Sequence, residues 1–346
     1  MKKKKLLAIV LIAGSLLGCG TNTSNTKEVK NPQGEDEIQS QEAAKNDGHT
    51  FIPDKPVPPD EIWEKCVSER NITVDEESAK LYEGFVKGEV PVEYDAEADR
   101  DCFYTLPSQV LEDKESYTLP EINKRLTDWT IYDPYSEMEL NGDEYKLTYA
   151  YYVDLGLDEK YELQVGISAY EYKLDMVIKN YEGHLKICYS VDSWTRSEAH
   201  IYFSGMVKKG GSCGVSSYGE DIGYLDADGK YHFFYSLYDE NLDRESVKED
   251  KQEEIFDSAK WENWTPNVVE IILGNDKTYK MIYIADDNNF GEDLEIDESD
   301  PNNPYQQLKE AINFQVQTRE EIEQYKEKYR KEIGLSDAVY HYEDEE

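Results

Sequence analysis

Histidine is scarce in this chain: His49, His184, His200, His232 and His341 are all it has among 346 residues. A histidine-rich metal centre or an imidazole acid–base relay is therefore poorly supplied. Cysteine is equally sparse, five residues with no Cys-x-x-Cys, which removes zinc ribbons and thioredoxin-type redox sites. Neither His-Glu-x-x-His nor a glycine-rich phosphate loop occurs. The apolar run Leu6 to Leu17 has 12 residues, whereas a helix that spans a membrane needs about 20. Positive charge is also short, with 37 Lys and Arg against 75 Asp and Glu and a net charge of −38. Such a surface repels phosphate backbones, so nucleic acid is excluded as a partner.

The N-terminus carries an address. Lys2 to Lys5 precede the apolar run, which ends in Leu16-Leu17-Gly18-Cys19. A positive segment before a short apolar one is the pattern of a secretory signal. Leu-Leu-Gly-Cys resembles the bacterial lipobox, which implies a signal peptide over 1–18, a new N-terminus at Cys19, and diacylglycerol with palmitate-type chains on its sulfur. Two acyl chains hold a protein to a membrane where one does so only marginally. The membrane is thus an expected partner, through Cys19, and the location is the outer face of the cell membrane. Loss of Lys2 to Lys5 reduces the 37 basic residues to 33 against 75 acidic ones, a net charge of −42.

Residues 19–59 are rich in Asn, Thr, Ser, Gln, Glu, Lys and Pro and close on Pro53-Asp-Lys-Pro56-Val-Pro58-Pro59. They read as a flexible linker whose r.m.s. span is ~35 Å. Order is expected from Asp60, an N-cap for a helix with Ile62, Trp63, Cys66 and Val67 on one face. Thr73-Val-Asp-Glu76 reads as a capping box for a second helix that stops near Gly88, and Thr118-Leu-Pro-Glu121 opens a short third. From Tyr145 the apolar period becomes two. Tyr145, Leu147, Tyr149, Tyr151 and Val153 are assigned to one strand face, and Tyr161, Leu163, Val165, Ile167 and Ala169 to the next. Further strands are predicted over 174–179, 184–191, 200–207, 231–238, 268–273 and 278–285. Glu162, Gln164, Lys186 and Ser190 on the opposite face point to a wet or polar-backed side. A last helix opens with Thr318-Arg-Glu-Glu321 and ends at Gly334. The fold class is α+β: N-terminal helices, a mainly antiparallel sheet laid out as a meander of hairpins, and a C-terminal helix. The domain is set at 60–300, followed by a C-terminal helix and acidic tail over 301–346.

Tyr82-Glu-Gly-Phe85-Val-Lys-Gly88-Glu89 resembles a helical Tyr-x-x-Phe-Leu-x-Gly-Glu element. Tyr152-Val-Asp154-Leu-Gly-Leu-Asp158-Glu-Lys-Tyr-Glu162-Leu163 resembles a worn Asp-x-Asn-x-Asp-Gly-x-x-Glu-Leu hairpin. Both belong to a group of uncharacterised surface lipoproteins of Gram-positive-type bacteria. The resemblance implies an exported lipoprotein with no established activity.

Asp154, Asp158 and Glu162, at positions 1, 5 and 9 of a turn, are the candidate ligands for Ca²⁺, a cation that wants six to eight oxygens. Gly156 stands where a third acid is usual and Glu159 where glycine permits the sharp turn. The alternating acids Asp293, Glu295 and Asp297 read as a solvated loop, and Asp226-Ala-Asp228-Gly229 as a hairpin turn. Cys66, Cys102, Cys188 and Cys213 allow two disulfides in any of three pairings, the local one being Cys66–Cys102 with Cys188–Cys213. Cys213, in Gly210-Gly211-Ser212-Cys213-Gly214, would need His200 or His232 as its base if it were a nucleophile. Trp194, Trp261 and Trp264 lie beside polar residues and suit either sugar stacking or a core. These features favour a monomeric, membrane-anchored surface protein whose acidic domain binds an extracellular ligand or partner. The alternative is an envelope-acting hydrolase of glycan or peptidoglycan that uses a carboxylate pair.

Overall fold

The computed structural model describes residues 58–68, 72–96, 106–132, 143–214, 216–258, 261–274, 277–286, 292–293 and 304–342. The chain divides into two units, Met1–Thr50 and Phe51–Glu346. Cys19, the signal segment, nearly all of the linker, Cys102, Glu295, Asp297 and the tail Glu343–Glu346 lie outside the described residues. The segment 301–346 belongs to the same unit as 60–300.

Four helices, one of them a single turn, precede the main strands. α1 (Pro59–Ser68) starts one residue before Asp60, because Pro59 fits the first helical position, where a missing N–H leaves nothing unsatisfied. α2 (Glu76–Val86) is capped by Asp75, whose carboxylate accepts from Ser78 N at 2.9 Å, and not by Thr73. It ends where the sequence places its end: Gly88, at φ 76, lets Gly88 N and Glu89 N reach back to Phe85 O and Gly84 O. β1 (Val92–Tyr94), α3 (Pro107–Val110) and β2 (Ser116–Tyr117) lead to α4 (Leu119–Tyr132). Glu121 accepts from Thr118 N at 2.8 Å at the head of α4, which runs for 14 residues and is longer than its short apolar pattern suggests.

The strands β3 (Lys146–Val153), β4 (Glu162–Ala169), β5 (Tyr172–Tyr181) and β6 (His184–Ser193) join β1 and β2 in a first sheet, ordered β2-β1-β6-β5-β4-β3. All neighbours are antiparallel except β1 and β6. A two-residue turn after Trp194 begins a second, wholly antiparallel sheet. It contains β7 (Ser197–Ile201), β8 (Met206–Ser212), β9 (Ser217–Leu225), β10 (Tyr231–Asn241), β11 (Trp264–Leu273), β12 (Lys277–Asp286) and β13 (Glu292–Asp293), and spatial order follows chain order. Between β10 and β11 lies α5 (Gln252–Phe256); after β13 come α6 (Pro304–Ala311), α7 (Arg319–Glu332) and α8 (Asp337–Tyr340). The α+β meander is present, divided into two sheets.

Two strand assignments need correction. Residues 200–207 are not one strand: the chain turns at 202–205, with Gly205 at φ 91, to make the β7–β8 hairpin. In β3 the pairing register shifts between Leu147 and Tyr149. This bulge inverts the alternation, so Leu147, Ala150 and Tyr152 face the helices while Tyr149, Tyr151 and Val153 face the other way.

The first sheet packs one face against α1, α2 and α4, where Trp63, Phe85, Ile122 and Leu126 meet Tyr152, Val165, Ile167 and Met176. Its other face is not wet. There Val153, Leu155, Val177, Tyr189 and Val191 meet Ile201, Val207, Leu225 and Tyr231 of the second sheet. Glu162 and Gln164 are consequently 1% and 7% exposed. Trp261 and Trp264, edge to face at 5.9 Å, belong to a core that α5 and α6 close over β11 and β12. The opposite face of the second sheet is covered by α7 and α8 through Ile322, Leu335 and Val339.

The C-terminal helices are fastened by Arg330, which is 2% exposed. Its guanidinium grips Glu327 at 2.8 and 2.9 Å, donates to Leu335 O at 2.6 Å and pairs with Asp337. Thr318 and Glu321 cap α7 reciprocally, and Gly334, at φ 80, closes it with Leu335 N bonded to Arg330 O at 3.1 Å. Arg330→Met should keep the stem packed and lose the fork. Because Glu327 and Asp337 can relax into water, the expected loss is about 1–3 kcal/mol in a urea titration, with faster proteolytic trimming of α8.

Candidate functional site

The largest gathering of buried charge sits where the two sheets join, in the turn between β3 and β4. Asp154 follows β3, a 3-10 turn covers Leu155–Leu157, and Glu162 begins β4. Gly156, Leu157 and Glu159 all have positive φ, at 76, 59 and 64. A glycine at the sixth position is not needed, because the Asp154 carboxylate accepts from Asp158 N at 2.8 Å and from Glu159 N at 3.1 Å and holds the turn. Glu162 accepts from Leu155 N at 3.1 Å with one oxygen and from the Lys179 ammonium with the other. Asp158 is satisfied by Lys160, through its N at 2.9 Å and its ammonium at 3.2 Å.

The oxygens of Asp154, Asp158 and Glu162 bond amides and lysines in this structure, whereas the expected Ca²⁺ takes six or more oxygens. Among the described residues no group of three or more His, Cys, Asp or Glu is arranged to hold a metal ion.

The turn instead joins the sheets. Asp154 N donates to Phe203 O at 2.8 Å and Gly156 N to Ser204 O at 3.1 Å, tying it to the β7–β8 turn. A Cβ on Gly156 would lie 3.0 Å from Ala227 N, so glycine also admits the β9–β10 turn. Ser204 Oγ donates to Val339 O at 3.2 Å and adds α8 to the assembly. Burial raises the Glu162 carboxyl to about 7 against the pull of Lys179 and the Leu155 amide. Asp154 is raised by burial as well, opposed by its two amides.

A second cluster lies on the same sheet face. Asp175, 1% exposed, accepts from Tyr149 and from Gln164 Nε2 at 3.4 Å and pairs with Lys173 at 2.9 Å. Tyr149 reaches Asp175 by lying across Gly166, where a Cβ would come 2.2 Å from its ring. Burial and then the Asp175 charge push the Tyr149 phenol well above its usual value.

The remaining sequence candidates are dispersed. Cys188 and Cys213 are separate free thiols and form no disulfide. Cys188 lies inside the first sheet, its sulfhydryl on Val177 O at 3.4 Å, and Cys213 is at the tip of the β8–β9 hairpin. Cys66 is buried beneath α1, and its expected partner Cys102 is outside the described residues. His200 pairs with Lys208 on β8, five residues from Cys213, which at the strand rise is ~17 Å. His232 sits farther still, opposite Tyr224, bonded to Asp226 at 2.7 Å. Among the described residues Cys213 forms no dyad with His200 or His232. Residues 210–214 also spell Gly-x-Ser-x-Gly, but a nucleophile elbow needs strand, turn and helix, and here β8 turns back into β9 with Ser212 Oγ on Gly214 O at 2.7 Å. Lys179 and Asp175 do not stand out in the sequence because each looks like an ordinary polar residue in a strand, and Gln164, placed on the polar strand face, gives no sign there of its partner Asp175. Their signal was register: counting outward from the two-residue turn Tyr170-Glu171 sets Glu162 opposite Lys179.

The chain matches no protein-family model, no curated protein and no solved structure. No helix among the described residues is long and apolar enough to cross a membrane.

The raised Glu162 carboxyl gives a pH dependence with a definite sign. Below about 4.5 the unfolded chain is protonated there too. As pH rises from there through about 7, the unfolded state ionises first and the fold loses stability, on the order of 3 kcal/mol. Glu162→Gln should remove that component, read as the wild-type minus variant difference in denaturant midpoint between pH 5 and 8. Separately, Gly166→Ala should expel the Tyr149 ring from Asp175 and lower stability by about 1–3 kcal/mol in the same assay, with a changed tyrosine near-UV signal.

Proposed function

We propose that this chain is a lipid-anchored protein of the outer face of the cell membrane, a monomer whose acidic α+β domain binds an extracellular ligand or partner without catalysing a reaction. The observation that carries this is the order of the N-terminal features. Lys2 to Lys5, a 12-residue apolar run and Leu-Leu-Gly-Cys19 are followed by about 40 polar residues, before the first helix at Pro59. That is the layout of an anchor, a tether and a displayed domain.

The non-catalytic part is supported by how the reactive residues are used. Cys213 stands far from both His200 and His232. Glu162, a carboxyl poised near neutrality, has both oxygens taken and is sealed between the sheets, which weighs against its serving as the acid of a hydrolase.

Cell fractionation tests the anchor. Wild-type protein should partition with membranes and into a detergent phase, whereas Cys19→Ser should appear in the soluble or culture fraction. Membrane partition of exported Cys19→Ser protein would refute the proposal.

A further inference from the structure

Two exposed aromatic rings stand on neighbouring hairpin turns. Tyr170 belongs to the two-residue turn between β4 and β5, and Trp194 begins the turn between β6 and β7; each is 43% exposed. Pairing of Lys173 with Ser193 brings both turns to the same end of the first sheet. Thr195 Oγ1 bonds the Glu171 carboxylate and clasps one turn to the other.

Tyr170 is a costly choice for its position. Its φ of 51 lies in the left-handed region, where glycine or asparagine is usual and a bulky side chain is strained. Glycine would make the turn without strain, so the ring itself is what tyrosine adds. The Trp194 turn is fixed by Ser197 N on Trp194 O at 2.7 Å and by Ser212 N on Arg196 O at 3.0 Å. Gly211 lies beneath it, where a Cβ would come 2.4 Å from Arg196 O. Rigid, exposed Tyr and Trp side chains lose little entropy when they bind.

The charges around the rings narrow the ligand. A chain of net charge −38 repels polyanions. A cationic peptide would be drawn to the acidic surface elsewhere, whereas the two turns themselves carry one charge of each sign, Glu171 next to Tyr170 and the exposed Arg196 two residues after Trp194. A neutral polyhydroxyl ligand satisfies both conditions: its C–H faces stack on the rings and its hydroxyls bond the flanking charged groups.

We propose that Tyr170 and Trp194 form a binding surface for a neutral oligosaccharide, with Arg196 and Glu171 bonding its hydroxyls. This names the ligand class for the binding role proposed above and rests on that reading.

The test is calorimetric titration of full-length protein, in detergent micelles, with cellohexaose and chitohexaose as probes. At least one should bind, and Trp194→Ala and Tyr170→Ala should each weaken it about tenfold, or 1.4 kcal/mol. Tyr170→Gly separates binding from folding, because it should raise the thermal midpoint while weakening the sugar to the same extent. The inference is overturned if neither hexasaccharide binds at about 10 mM, or if the variants bind like wild type. It is equally overturned if the two rings mediate self-association or cationic-peptide binding while neither sugar binds. Membrane partition of the same preparations is read alongside. An intact anchor with no sugar binding sinks this inference alone, whereas a soluble wild-type protein sinks the anchor reading.

Discussion

The Glu162–Lys179 pair stands at the point where the two sheets become one structure. Glu162 lies at the first residue of β4 and holds the Leu155 amide; Leu155 is the apolar residue that the turn drives between the sheets. Either half of the pair alone would be a charge taken from water with no partner, a cost of several kcal/mol. Together they close the turn that donates Asp154 N and Gly156 N to the second sheet. An apolar pair of similar volume could be as stable, but it could not accept the Leu155 N–H, and a buried amide would be left unpaired. The pair therefore fixes which turn conformation is native, and the inter-sheet contact follows from it.

The same reasoning explains why so acidic a chain tolerates buried carboxylates. With 75 acidic and 37 basic residues, a randomly placed interior acid would have no counter-ion. Two of the three buried acids among the described residues have a lysine, Lys179 on Glu162 and Lys173 on Asp175, both from β5, and the third, Asp154, is held by backbone amides. Most other ion pairs are exposed, such as Lys124–Asp128 and Arg244–Asp257, and contribute little. At the C-terminus Arg330 plays the inner role, with solvent able to reach its acidic partners.

What could be read from the sequence was what depends on near neighbours. Helix ends at Gly88 and Gly334, the reciprocal cap at Thr318 and Glu321, and the inward row Leu163, Val165 and Ile167 all rest on chemistry within a few residues. The features that were not legible depend on partners far along the chain. The β3 bulge is set by its pairing with β4, and it turned Tyr149 and Tyr151 from an expected core face to the other side. The break of 200–207 into two strands follows from the Asp154 turn docking onto Phe203 and Ser204. Asp154, Asp158 and Glu162 share one turn, and oxygen spacing alone does not show that backbone amides, Lys160 and Lys179 bond them there.

Backbone strain separates the two parts of the molecule that carry its distinctive residues. At the sheet joint, positive φ at Leu157 and Glu159 is matched by bonds from Leu157 N to Asp154 O and from Glu159 N to the Asp154 carboxylate. At the turn after β5, Glu182 is followed by Gly183, whose N–H is taken by Asn180 Oδ1 at 2.8 Å. In both places a side chain bonds the turn, and the residue is strained so that the fold can close. At Tyr170 a side chain bonds the turn as well, Thr195 on Glu171, but the strained residue carries an aromatic ring that is 43% exposed. Under the binding role proposed above, that ring is where contact with a ligand would offset the strain of its backbone.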